Sequence, residues 1–227
     1  MFFFDPTFLL LIPAMLLAFY AQNKVTRTYK KYRQIASMRG MTGAQVAQHI
    51  LQQRGLYDVA VRETRGFLAD NYNPANKTVN LSSDIFHGRS LAALAVAAHE
   101  VGHALQDANG YMPLKLRASF VPLANLGSFA VFPLAIGGIL LQSVGLIDLA
   151  IYLYSAVVAF HLITLPVEFN ASNRALKILG TNGYLYDTEV IGAKKVLNAA
   201  ALTYVASTVV AVMELIRLLI FRSMMND

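Results

Sequence analysis

The chain contains no cysteine and no tryptophan. Without cysteine there is no disulfide framework, no thiolate metal site and no thiol nucleophile, so any metal must be held by His, Asp or Glu. Charge is scarce too. Asp, Glu, Lys and Arg make up 14% of the 227 residues, while 56% are hydrophobic. A soluble core of this size does not need that much apolar sequence, and a membrane is the natural sink for it. Acidic residues are the rarer sign, 13 against 19 Lys and Arg, for a net charge of +6. With this hydropathy the basic excess points to charged loops beside a lipid surface, and no nucleic-acid partner is expected.

What is present is a series of long apolar runs. Residues 2–21, FFFDPTFLLLIPAMLLAFYA, are long enough to span a bilayer. No Lys or Arg precedes the run, which disfavours a cleaved signal peptide. Lys24, Arg27, Lys30, Lys31, Arg33 and Arg39 follow it, an asymmetry that holds the next segment in the cytoplasm and the N-terminus outside. Residues 119–167 supply two spans, 119–141 and 147–167, with Pro122 and Pro133 as kinks in the first and Pro166 at the cytoplasmic end of the second. Residues 200–221 are apolar again but interrupted by Glu214 and Arg217, so they span or lie at the interface. In this topology 17 of the 19 Lys and Arg lie inside.

Between the spans the chain is polar. Thr42 is placed to cap a helix over GAQVAQHILQQR, with Gly55 as its stop. The stretches YDVAVRET, GFLADNY and KTVNLS read as short strands, with Asn73-Pro74 as a turn between the last two. Ser90 is placed to cap the next helix. The expected fold is a mainly α membrane protein, with about four transmembrane helices and a small α+β zincin-like catalytic domain. Its parts are an N-terminal transmembrane helix (1–22), a cytoplasm-facing domain (23–117), two transmembrane helices (118–167), a helical segment (168–199) and a C-terminal transmembrane or interfacial helix (200–227).

The helix after Ser90 carries AVAAHEVGHALQD, residues 95–107. On a helix His99 and His103, four apart, share a face and can reach one metal. Glu100, one step round, can meet a water on that metal without being a ligand, the H-E-x-x-H arrangement. A third protein ligand is required. Asn109 and Gln106 stand where the extended metzincin motif would need His and Gly. The downstream glutamates are Glu168, Glu189 and Glu214. Glu168, in LPVEFNASNRA, is the best placed, and a helix ion pair with Arg217 accounts for Glu214. Zn2+ is the metal this donor set suits.

DNYNPANKTVNLSSDIFHGRSLAALAVAAHEVGHALQDANGY together with LPVEFNASNRAL resembles the YugP-type family of bacterial neutral membrane zinc metallopeptidases. The likeness covers nearly the whole chain, including GAKKVLNAAALTYVA. It implies a membrane-bound zinc peptidase with His99 and His103 as ligands, Glu100 as the catalytic residue and Glu168 as third ligand. Membrane zincins of the CAAX-processing and heat-shock type carry Asp four residues after the ligand Glu. Here that position is Ser172, so either Ser172 or Asp107 must orient a ligand histidine, unless Asp107 is a solvated helix-end residue.

The reading that results is a membrane-anchored zinc metalloendopeptidase, multi-pass in the cell membrane, its site facing the cytoplasm and its substrate a protein or peptide. Glu100 is the general base toward a zinc-activated water. Candidate oxyanion donors are Arg174, His161, Tyr184 and Tyr186, with Arg174 preferred because it lies six residues from Glu168. His161 also reads as a packed span residue, and His49 and His87 as surface residues. The KTVNLS strand is a candidate edge for an extended substrate. The alternative is a zinc-binding membrane adaptor or scaffold without catalysis.

Overall fold

Four helices are long and apolar enough to cross a membrane among the described residues of a computed structural model, which cover 6–66 and 69–225. A 3-10 turn, Pro6–Leu10, leads into α1 (Leu11–Arg33). There follow α2 (Gly43–Gln53), β1 (Ala60–Thr64), β2 (Asn71–Asn73), β3 (Thr78–Ser82) and the short α3 (Ser83–Phe86). The chain then runs through α4 (Leu91–Ala108), α5 (Met112–Leu140), α6 (Val144–Thr181) and α7 (Asp187–Met224). The four apolar helices are those over Thr7–Arg33, Met112–Leu140, Val144–Thr181 and Asp187–Met224. The protein is thus mostly helical, with one small sheet.

The chain divides into two units. One comprises Met1–Gln22, Lys115–Pro166 and Thr203–Asp227, the other Asn23–Leu114 and Val167–Leu202. The first unit turns large apolar side chains outward: Phe129 is 82% exposed and Tyr152 77%. In water that surface would be unfavourable, whereas hydrocarbon removes the cost. Pro122 and Pro133 both lie inside α5. Arg222 Nε donates to Asp148 Oδ1 at 2.9 Å, and Arg217 pairs with Glu214 three residues earlier.

The second unit packs α2, the sheet, α4, residues 167–181 of α6 and the start of α7 around one core. Thr42 accepts from Gln45 N while the Gln45 side chain accepts from Thr42 N, a reciprocal cap that starts α2. Gly55 follows α2 with φ of 72°, a left-handed turn that glycine adopts without steric cost. Ser90 Oγ accepts from Ala93 N and starts α4.

The structure revises one expectation. The sheet has the order β1-β3-β2, with β1 parallel and β2 antiparallel to β3. The strand from KTVNLS is therefore central, paired with β1 over Thr78–Ser82 and with β2 over Thr78–Asn80, and is not the free edge strand expected for a substrate. Of the expected strand GFLADNY, residues 67 and 68 lie outside the described residues, and the observed β2 starts at Asn71. Pro166, read as the cytoplasmic end of a span, lies inside α6, which continues as helix to Thr181. Beyond the proline, Val167, Ala171, Ala175, Ile178 and Leu179 are buried at helical spacing. Proline inside a helix costs about 3 kcal/mol or more. Burial of that stripe opposes the cost and carries the helix through.

Candidate metal centre

The residues His99, His103 and Glu168 come together from α4 and α6 within the second unit. The two helices approach closely because small residues face each other. A Cβ on Gly102 would sit 2.7 Å from Ala171 O, so only glycine fits there. That approach lets a carboxylate 69 residues downstream reach the two histidines. Glu168 Oε2 is 3.2 Å from His99 Nε2 and 3.7 Å from His103 Nε2. All three ligand atoms lie within 4.8 Å of one another. Zinc bonds of about 2.0–2.2 Å in a tetrahedron place neighbouring ligand atoms about 3.4 Å apart. The two distances to Glu168 bracket that edge, so two imidazoles and a carboxylate fit a zinc ion in both chemistry and spacing.

Each histidine is oriented from behind. Gln106 Nε2 donates to Val167 O at 2.8 Å and to Asn170 Oδ1 at 3.1 Å. Asn170 Oδ1 also accepts from Arg174 Nε at 2.7 Å, which fixes that amide. With both donors of Gln106 used, its Oε1 must be the atom 3.0 Å from His103 Nδ1. His103 Nδ1 therefore carries the hydrogen, and the Nε2 lone pair faces Glu168. His99 Nδ1 lies 3.1 Å from Ser172 Oγ, which sets the same tautomer when the hydroxyl accepts. Ser172 thus takes the orienting position on His99. Asp107 instead accepts from Tyr72 at 2.8 Å.

Glu100 is buried on α4 beside these groups. Burial pushes its carboxyl above the usual range, while His99 and His103 pull it down and Glu168 and Asp70 add to the rise. A raised carboxyl pKa makes the ionised form of Glu100 a stronger proton acceptor than an exposed carboxylate. For His103, burial alone disfavours the charged form, but Glu168 and Glu100 outweigh it and the net direction is upward.

The other candidates are placed as follows. Arg174 meets the centre through Asn170 and Gln106, and lines a 640 Å³ cavity with Arg54, Asn109 and Lys177. The Tyr184 hydroxyl lies 2.8 Å from His49 Nδ1, and Tyr186 N donates to Glu189 Oε2 at 2.9 Å. Glu189 Oε1 also accepts from Met38 N at 2.8 Å, so this carboxylate ties α7 to the loop after α1. His161 is half-buried on α6, His87 pairs with Glu63, and Glu214 pairs with Arg217. The sequence assigns no orienting role to Gln106 or Asn170. Their only signal is position, three residues after His103 and two after Glu168.

Residues 7–223 match the family described as "Putative neutral zinc metallopeptidase". The chain is also 49% identical over 208 residues, 92% of each chain, to "Putative membrane protease YugP" of Bacillus subtilis (strain 168). No solved structure matches it.

Proposed function

The chain belongs to this neutral zinc metallopeptidase family, and from that footing we propose that it is a membrane-anchored zinc endopeptidase acting on a protein or peptide. The observation that carries the reading is the spacing of His99 Nε2, His103 Nε2 and Glu168 Oε2 around one point, with Glu100 buried beside His99. His99, His103 and Glu168 are the ligands and Glu100 is the base. When bound, zinc supplies Lewis acidity, acidifying a water and polarising a peptide carbonyl.

The chain's own residues do the rest. Gln106 and Ser172 hold each imidazole with its Nε2 lone pair forward. Glu168 contributes a negative charge that keeps a cation in the centre. Glu100 accepts the proton from water and delivers it to the leaving amine, for which a raised pKa is suited in both directions. Arg174 acts by fixing Asn170, and through it Gln106, rather than by touching the reacting carbonyl. The site belongs to a zincin-like domain that faces the cytoplasm under the proposed topology.

The test is hydrolysis of a loosely folded protein such as casein by the purified chain, alongside its zinc content after dialysis. Wild type is expected to cleave and to stop on chelation. Glu100→Gln is expected to keep zinc and lose activity by about two to four orders of magnitude. Loss of zinc from Glu100→Gln would make Glu100 a ligand, and full zinc in Glu168→Ala would remove Glu168 from the centre.

A further inference from the structure

A cleft of 420 Å³ lies within the second unit, away from the metal ligands, between α1 and α7. Lys24, Arg27, Thr28 and Lys31 line it from α1, at spacings of three, four and seven residues that put them on one helical face. Lys195, Asn198 and Ala199 line it from α7, again on one face. The four cationic side chains are exposed, and buried Ala199 leaves space at the wall. Among the described residues no carboxylate lines the cleft. Neither α1 nor residues 190–213 of α7 contain Asp or Glu, so neither helix supplies a compensating charge along these stretches.

The position along each helix identifies the ligand. On α1, the run before Lys24 turns apolar side chains outward: Leu16 is 63% exposed and Phe19 70%. At about 1.5 Å per residue, Lys24 and Arg27 lie roughly 5–9 Å beyond Ala21, where that run ends, at about the depth of the lipid headgroups, and Lys31 lies about one turn further out. On α7 the order is reversed, with Lys195 and Asn198 just before the apolar stretch that begins at Ala199. Both helices therefore bring their cations to the point where their apolar surface ends.

We infer that this cleft binds the phosphate headgroup of an anionic glycerophospholipid. Thr28 and Asn198 offer uncharged donors to the phosphate or glycerol oxygens. The four cations supply the preference over a choline headgroup, whose ammonium they repel. The site is independent of the peptidase reading.

The test is native mass spectrometry of the full chain, released from neutral detergent containing equal phosphatidylglycerol and phosphatidylcholine. Wild type is expected to retain phosphatidylglycerol preferentially. Lys24→Gln/Arg27→Gln/Lys195→Gln is expected to weaken that retention by about five-fold per cation removed. Asn198→Glu, an exposed change that removes no cation, should weaken it as well. Arg62→Gln/Arg65→Gln/Lys77→Gln removes as much charge elsewhere and should leave retention intact. Equal retention of both lipids by wild type, or undiminished phosphatidylglycerol in either cleft variant, would overturn the assignment. So would displacement of the lipid by an equal concentration of inorganic phosphate, which would make the ligand a soluble phosphate.

Discussion

Gln106 carries no charge and lies outside the His-Glu motif, yet it decides which nitrogen of His103 faces Glu168. It is fully buried, and its amide is committed to three partners. Gln106→Leu should leave the helix intact, because leucine is a good helix former of similar size. It should weaken zinc binding by about 10- to 100-fold, the usual cost of losing a partner behind a ligand histidine. Competition with a calibrated chelator would measure this, and unchanged affinity would show that His103 orients without it. Asp70 is a second polar residue whose role lies in its surroundings. It accepts from Ser82 N at 2.7 Å and from Ser82 Oγ at 3.0 Å. Burial raises its carboxyl pKa despite those bonds. A folded-state pKa above the unfolded one means the folded chain holds the proton more tightly, so ionisation costs stability as pH rises through the carboxylate range. Asp70→Asn keeps an acceptor for Ser82 and removes the charge. Its unfolding midpoint should match wild type near pH 3 and exceed it near pH 7. A lower midpoint at neutral pH would mean the charge itself is needed.

At the scale of elements, the site depends on how closely α4 and α6 pack, and that is set at Gly102. Alanine there would gain about 1 kcal/mol in helix propensity. Its Cβ would meet a backbone carbonyl, which cannot rotate away, and overpacking typically costs about 1–3 kcal/mol. The clash wins, and because Ala171 lies three residues after Glu168, the displacement falls on the proposed third ligand. Gly102→Ala is expected to lower both the unfolding midpoint and zinc affinity, the latter by more than about ten-fold. A variant with lowered stability but full zinc would show that α6 can shift without moving Glu168. The sequence made part of this legible. Helix starts at Thr42 and Ser90 could be read because a cap is a local hydrogen bond between residues three apart. His99 and His103 could be paired because helical spacing alone puts them on one face. The sheet order could not, since the β1–β3 pairing is parallel and joins residues such as Ala60 and Thr78 across an intervening strand. Nor could the path of α6 beyond Pro166, because a local rule for proline was outweighed by burial of Val167, Ala171 and Ala175 in a core assembled from distant segments.

At the scale of the whole molecule, the two units are interleaved in sequence. The segment carrying His99 and His103 is separated from that carrying Glu168 by Lys115–Pro166, which belongs to the other unit. This makes orientation in the bilayer decisive for the substrates the site can meet. The proposed orientation rests on charge: residues 22–117 hold 13 of the 19 Lys and Arg, and residues 168–199 add four. Basic residues next to a span stay on the cytoplasmic side, so both segments are placed there and the turn between α5 and α6 outside. The absence of cysteine makes this directly testable, since a single introduced thiol is the only one in the chain. Asn76, in the turn before β3, and Gln142, in the turn before α6, are both exposed. In intact cells Gln142→Cys should react with a membrane-impermeant maleimide, and Asn76→Cys should react only after the membrane is permeabilised. Labelling of position 76 in intact cells, with position 142 protected, would invert the topology and direct the proposed peptidase to substrates outside the cell.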